Sequence, residues 1–417
     1  MREIMMIVML LSMLGISDAA TYYVDSAGGN DANSGTSQNN AWQSIEKVNA
    51  TTFSPGDRVL LKANSMWLGK LNPKGSGASG NPITLDMYGS GAKPLIDANG
   101  SEGFGAFYLV DQQYWEVRNL SLTNDGEGNG DRRGVHIYFT TPGMHEHIYV
   151  MDCDIHNIRG TNRPSGSAAK RTGGIMVEAY HSSGWFNDLR IEGCTVENVG
   201  GTGIMACRYS GVSDDHVPGP TGTWEDYKCT NFRIRNNLVS HVYRNGLIAR
   251  RMDDSCVIEY NVFHHTAEGY TGNTMFTAPS RGVIFQYNEG YENQGVERDG
   301  SLYDADLGSR EIVFQYSYSH DNSHGLFWTY PRSHEHNDNI IVRYNISRND
   351  RGNIFSFSGG ANSLGSTHIY NNTIYTPAHL SPQFFDDRRD GAHTYYCLLY
   401  TSPSPRDLST SRMPSSA

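Results

Sequence analysis

The sequence predicts an all-β chain wound as a parallel β-helix. Three observations predict it: a turn-rich composition, a short strand phrase that recurs at intervals in the twenties, and an Asn at one fixed place in that phrase. Of 417 residues, 45 are Gly and only 18% are charged, which is unlike a long-helix or coiled-coil protein and fits strands joined by Gly and Asn turns. The net charge is −11 and no stretch is densely basic, so a nucleic-acid partner is not expected.

The recurring phrase is a few alternating apolar residues, the Asn, another short strand, and a polar turn leading to Gly. It appears as Phe232-Arg-Ile-Arg-Asn-Asn237-Leu-Val239, Val257-Ile-Glu-Tyr-Asn261-Val-Phe263, Val283-Ile-Phe-Gln-Tyr-Asn288 and Ile340-Ile-Val-Arg-Tyr-Asn345. From Asn237 the fixed position recurs after 24, 27, 29, 28 and 27 residues. The earlier steps, from Cys153 to Cys194 to Asn237, are 41 and 43 residues, leaving room for insertions at 161–172 and 213–228. A leucine-rich repeat would need Leu at several places per unit, and these are absent. Stacked coils would pair every strand in parallel with its neighbours, line a narrow interior with the Val, Ile and Phe positions, and let Asn237, Asn261, Asn288, Asn345 and Asn372 form an amide ladder. Cys153, Cys194 and Ser317 take the ladder position on other coils, which gives the two cysteines a stacking role. Tyr260, Tyr287, Tyr316 and Tyr344 precede the ladder residue and are expected to stack as a row.

The ends differ from the middle. Residues 1–20 read as a secretory signal: Arg2 precedes an apolar run over 4–14, and Ser17 and Ala19 supply small residues for cleavage. That run is too short to span a bilayer, and no later segment is apolar enough, so an exported chain (extracellular, periplasmic or at the cell surface) is expected. Residues 21–100 read as an N-terminal cap and first coils, including a strand at 21–25, a short amphipathic helix at 41–49, and a turn at Pro55-Gly56-Asp57. A solenoid needs such a cover over its open end. Residues 101–395 carry the repeats. Residues 396–417, from Cys397-Leu-Leu-Tyr-Thr-Ser-Pro-Ser-Pro-Arg-Asp onward, resemble a translated sequencing adapter and read as a non-native tail. Without Cys397 the remaining cysteines are Cys153, Cys194, Cys207, Cys229 and Cys256, an odd set without a disulfide framework or zinc spacing.

The opening phrases Tyr22-Tyr-Val-Asp-Ser-Ala-Gly-Gly-Asn-Asp31, Asn33-Ser-Gly-Thr36, Ala41-Trp-Gln-Ser-Ile45 and Pro55-Gly-Asp57 resemble the N-terminus of secreted proteins in the pectate-lyase-like superfamily, and the coils from about 105 to 375 match its repeats. The resemblance implies a right-handed parallel β-helix with a substrate groove along one sheet. It specifies fold far better than reaction, since the superfamily holds lyases, hydrolases, epimerases and binding proteins.

The strand after each Gly is the expected groove strand. Counting four from Gly174, Gly203, Gly246, Gly300 and Gly325 gives Glu178, Cys207, Arg250, Asp304 and Thr329, which period two would place on one face. The densest polar patch is Arg298-Asp299-Gly-Ser-Leu-Tyr-Asp304-Ala-Asp306. Two carboxylates held together raise one pKa, supplying an acid for a glycosidic oxygen and a base or nucleophile beside it. Asp304 with Asp306 is the expected catalytic pair, with Glu178 or Glu297 as fallback partner. Arg251, Trp328, Tyr330 and His324 are expected substrate contacts. Hydrolysis of a polysaccharide by a monomeric enzyme needs no cofactor. In the alternative, Asp299, Asp304 and Asp306 would hold Ca²⁺ for β-elimination on a uronate polymer, with Arg250, Arg251, Lys170 or Arg171 as the base, although a normal Arg is a poor base. A non-catalytic carbohydrate-binding solenoid is the third alternative. His264-His265 and His320-Asp-Asn-Ser-His324 sit at turns, and His334-Glu-His336 lacks a third ligand for a metal.

Overall fold

A computed structural model describes residues 19–160, 170–179, 184–209, 224, 228–296, 299–331, 336–358, 365–387, 393–396 and 399–401. The signal-like segment up to residue 18, most of both insertions, Glu297, Arg298, His334 and the tail beyond 401 lie outside the described residues. The chain forms a right-handed parallel β-helix of three sheets, with 13, 12 and 10 strands among the described residues. The first sheet runs from Thr21–Val24 to His393–Tyr396, the second from Met66–Leu68 to Leu399–Thr401, and the third from Gly105–Val110 to Gln383–Asp387. From the rung that starts at Ile83–Tyr88 to the one that ends at Gln383–Asp387, each rung contributes one strand to each sheet, so residues far apart in sequence stack directly.

Inward side chains make the core. Ile191, Ile234, Ile258, Phe285 and Phe314 share one inner row of the first sheet, each with at most 2% of its surface exposed. Burying each such side chain contributes about 1.5–3 kcal/mol. The Asn ladder closes the corner between the first and second sheets. Asn237 donates its backbone N–H and its Nδ2 to Asn261 Oδ1, at 3.1 and 2.9 Å, and Asn261 does the same to Asn288 Oδ1, at 3.0 Å each. Ser317 accepts from the Asn288 N–H at 3.1 Å and hands the ladder on to Asn345 and Asn372. Cys194 joins it through its backbone N–H, 3.0 Å from Asn237 Oδ1, and all five described cysteines are buried and free.

The tyrosines before the ladder residues adopt left-handed backbone conformations, with φ between 53° and 55°. Their rings stack face to face at 4.9, 5.3 and 5.2 Å. Stacking hides the ring faces from solvent and exposes edges, as a structural row should. A second ladder went unseen in the sequence: Asn293 N–H donates to Asn322 Oδ1 at 3.0 Å, and Asn322 N–H to Asp350 Oδ1 at 3.1 Å. Each member lies five residues after a first-ladder position, a repeat in spacing that could have disclosed it.

The helix begins later than expected, at Ile45–Ala50. Ser44 Oγ accepts the Lys47 N–H at 3.1 Å and itself donates to Asp31 Oδ2 at 2.6 Å, an N-cap that fixes the start. Trp42, which the sequence placed inside the helix, instead bridges Val24 and packs into the core.

Candidate active site

The outer face of the third sheet carries the charged residues, but the Gly-based count was out of step. Gly174, Gly203 and Gly246 do occupy one level, where a Cβ would meet core side chains Val196, Val239 and Phe263 within 2.6 Å. On the next rungs Thr274 and Leu302 fill that level, and Gly300 lies two residues upstream. The first outward row therefore reads Met176, Met205, Ile248, Phe276, Asp304, Trp328, Ser356 and Asp386. Asp306 and Tyr330 pair in the second row, the row of Glu178 and Arg250. Cys207 and Thr329 do not belong to the face. Both are fully buried, Cys207 at φ 63° and Thr329 with its hydroxyl donating to Ala305 O at 2.8 Å.

The acidic strand holds Asp304 at 2% exposure, with Asp306 and Asp299 half-buried beside it. Asn273 Nδ2 donates to Asp304 Oδ2 at 2.8 Å and reaches Asp299 Oδ1 at 3.4 Å. Its Oδ1 accepts the Ser301 N–H at 3.0 Å, which fixes the amide orientation. Asp304 Oδ1 is buried without a hydrogen-bond partner. Burial first, then the charges of Asp306 and Asp299, push the Asp304 pKa well above the carboxylate range. Lys170 and the Asn273 hydrogen bond oppose that rise. The Lys170 ammonium lies 5.1 Å and the Arg250 guanidinium 5.9 Å from the Phe276 ring, one rung before Asp304.

One rung after Asp304, Trp328 and Tyr330 lie half-buried with ring centroids 5.5 Å apart. Trp328 Nε1 donates to Ser358 Oγ. His324 sits at the edge of this strand between Gly300 and Gly352. A Cβ at either glycine would come within 2.7 Å of the imidazole, so both positions leave room for the ring.

Two expected members fall elsewhere. Arg251 turns away from this face: at φ 57° and 1% exposure, its guanidinium donates to Gly184 O at 2.9 Å and Cys207 O at 3.3 Å, a structural role. Glu178 stays on the sheet but lies four rungs from Asp306, about 19 Å at the usual strand spacing. That is beyond the separation at which two carboxyls serve one glycosidic bond. It belongs to a different cluster, 2.7 Å from His136 Nε2 and 3.7 Å from an Arg133 nitrogen. The sequence reading began its stack at Gly174. The phrase Arg133-Gly134-Val135-His136 lies one rung earlier and would have revealed both partners. Nor is the face an open groove from end to end. Met176, Met205, Ile248, Phe276, Ala278 and Leu307 form a buried apolar cluster on it, between Glu178 and the acidic strand.

The chain is thus a right-handed parallel β-helix with a carboxyl trio on the outer face of its third sheet. No family model matches it. The chain is 29% identical over 450 aligned residues, covering 87% of its length, to a lacto-N-biosidase of Bifidobacterium longum subsp. longum. It spans 28% of the length of that relative. Among solved structures it resembles the GH136 lacto-N-biosidase from Eubacterium ramulus, native protein, with a TM-score of 0.75 and 22% identity, over 92% of this chain and 68% of that one. The selenomethionine derivative of the same protein gives a TM-score of 0.74 at the same identity, over 91% and 67% of the two chains. Among the described residues, no helix is long and apolar enough to cross a membrane.

Proposed function

We propose that the chain is an exported, monomeric glycoside hydrolase whose chemistry rests on Asp299, Asp304 and Asp306. The observation that carries this is Asp304, a buried carboxyl with one oxygen unbonded, whose pKa burial and two neighbouring carboxyls push upward. Sites of acid–base chemistry are where such perturbation concentrates. Burial supports a division of roles. Asp306 and Asp299 are the members that solvent, and therefore a sugar, reaches. They act as the carboxylate that attacks or activates water and the acid that protonates the leaving oxygen. Asp304, which the sequence paired directly with Asp306, becomes the buried neighbour that tunes both. Trp328 and Tyr330 offer apolar surface to a sugar ring, His324 and Arg250 polar contacts beside it. Two carboxyls and a water suffice, so no cofactor is required of the chain. The relative's name supports a lacto-N-biose-releasing reaction on an oligosaccharide as the substrate to test first.

The eliminative alternative is weaker for a specific reason. It needs a base near the acidic strand: of the four considered, Arg251 is committed to backbone carbonyls, Arg250 sits two rungs from Asp306, Arg171 faces Asp131 at 3.4 Å, and Lys170, whose charge acts on Asp304, is the one left for the role. The Ca²⁺ set Asp299, Asp304 and Asp306 would also require a deprotonated Asp304, against its raised pKa. The test is turnover of a chromogenic lacto-N-bioside and of a neutral and acidic glycan panel, following reducing ends and ultraviolet absorbance together. Reducing ends without new absorbance, lost in Asp306→Asn and in Asp299→Asn, are expected. Unchanged turnover in both variants would overturn the site. Absorbance that stops with a chelator would favour elimination, and binding without turnover would favour a carbohydrate-binding solenoid.

A further inference from the structure

We infer that His241, His264 and His265 bind one divalent transition-metal ion of the zinc type. They lie on the second sheet, away from the acidic strand. Among the described residues they are the group of three side chains whose ligand atoms all fall within 4.8 Å of one another, and each is half-buried. The rung geometry brings them together. Ser240 pairs with His264, and the Val242 N–H donates to His265 O at 3.1 Å, so His241 and His265 occupy equivalent turn positions on successive rungs. Their rings stack at 4.6 Å, and His264 stands nearly perpendicular to both, at 85° and 81°. His264 Nδ1 and His265 Nδ1 are 2.9 Å apart. Two imidazole nitrogens bound at about 2.0–2.1 Å to one tetrahedral ion lie about 3.3 Å apart, so a shift of a few tenths of an ångström in either ring admits it.

Two carboxylates complete the arrangement. Glu268 Oε1 is 3.1 Å from His241 Nδ1, and Glu292 Oε2 is 3.3 Å from His265 Nδ1. Glu268, on His241 Nδ1, is placed to orient that ring from its far nitrogen, whereas Glu292 faces the same His265 nitrogen that faces His264 and is within reach of an ion there as an oxygen ligand. Access exists on both sides: His241 and Glu268 line one cavity of about 410 Å³, and His265 and Glu292 line another of about 460 Å³.

The turn itself does not call for histidine. His241 and His265 have φ of 51° and 50°, and the equivalent residues on other rungs include Asn157, Asn198 and Asn349, at 53°, 54° and 58°. Asn is well suited to that left-handed position. Histidine at this turn on two adjacent rungs, with a third at the end of the strand that leads into the second turn, is what a nitrogen-preferring ion selects, and binding would staple neighbouring coils together.

That comparison also supplies a fold-neutral control, the His241→Asn/His265→Asn double variant. Full-length protein freed of metal with a chelator would be titrated with Zn²⁺ by calorimetry and followed by thermal unfolding, with Ca²⁺ as the oxygen-preferring comparison. One equivalent of Zn²⁺ should bind, with an affinity at least tenfold above that of the double variant and of His264→Ala. Zn²⁺ should raise the wild-type Tm by several degrees, Ca²⁺ should not, and neither should shift the double variant. Equal Zn²⁺ affinity and equal Tm shifts in wild type and double variant would overturn the site.

Discussion

Asp350→Asn changes one oxygen to an amide nitrogen inside the second ladder, and its consequence can be worked from the hydrogen bonds. Asp350 is fully buried, and burial pushes its pKa from 3.8 up to about 6. Its Oδ1 accepts the Asn322 N–H and Nδ2 at 3.1 and 3.0 Å, and Oδ2 accepts the Ser319 and Ser347 hydroxyls at 2.6 and 2.5 Å. An Asn keeps the Oδ1 role, and the two hydroxyls can rotate to accept from its amide, so the ladder Asn293, Asn322, Asn would continue. The wild-type native state holds a proton that the unfolded chain has released between about pH 4 and 6, so Asp350 stabilises fully below about pH 4 and loses that contribution as pH rises through about 6. Two pKa units correspond to about 3 kcal/mol. Denaturant unfolding of both proteins at about pH 4 and pH 7 and matched ionic strength measures it. From the lower to the higher pH, the stability difference should move by about 3 kcal/mol in favour of Asp350→Asn. A difference that does not change with pH would refute the assignment of the proton to Asp350.

Asp304→Asn should raise stability near neutral pH, because it removes a buried carboxyl that Asp306 and Asp299 oppose, while lowering glycosidase kcat at least tenfold; denaturant midpoints and turnover together test this. Asn288→Ala should cost about 2–4 kcal/mol, since it removes the Asn288 amide from the Ile258 carbonyl and the shared acceptor of the Asn261 N–H and Nδ2, of which Nδ2 keeps only Ile234 O; thermal and chemical unfolding would show it. Glu178→Gln should leave kcat within a few-fold of wild type, because four rungs separate it from Asp306; a loss as large as that of Asp306→Asn would contradict the separation.

Much of this architecture was legible because a solenoid repeats its physics. The Asn237-to-Asn372 ladder, the inward apolar rows and the tyrosine stack each follow from residues recurring once per coil. Register was less legible. It depends on where a rung gains or loses a residue before its strand, and Gly300 looked like the counterpart of Gly246 while Leu302 actually filled that level. One such offset moved Asp304 into the row of Ile248 and Phe276. Period-two alternation also could not show Arg251 turning away, because a single left-handed residue reverses the pattern. The acidic strand was found because three carboxyls in so short a segment stand out against an 18% charged chain. Which of them a substrate can touch is a question of depth, and depth comes from neighbouring rungs such as the one that supplies Asn273. The histidine trio was missed because its members come from two coils and meet only when those coils stack.

Two buried aspartates separate structure from chemistry in this fold. Asp350 is buried and fully partnered, with four donors on its two oxygens. It extends a ladder that would tolerate Asn, and its raised pKa is the by-product of a stacking device. Asp304 is equally buried but has one amide on Oδ2, none on Oδ1, and two like-charged neighbours that make ionisation harder. Nothing in the stacking of rungs asks for a carboxyl there; the same row holds Met, Ile and Phe on the preceding coils, and those bury without cost. A fold whose inner corners satisfy their amides rung after rung leaves this one acid under-bonded beside two others, on a face where solvent reaches the neighbours. An acid left with one oxygen unbonded and packed against two like charges is the kind of local conflict that selection for reactivity leaves behind.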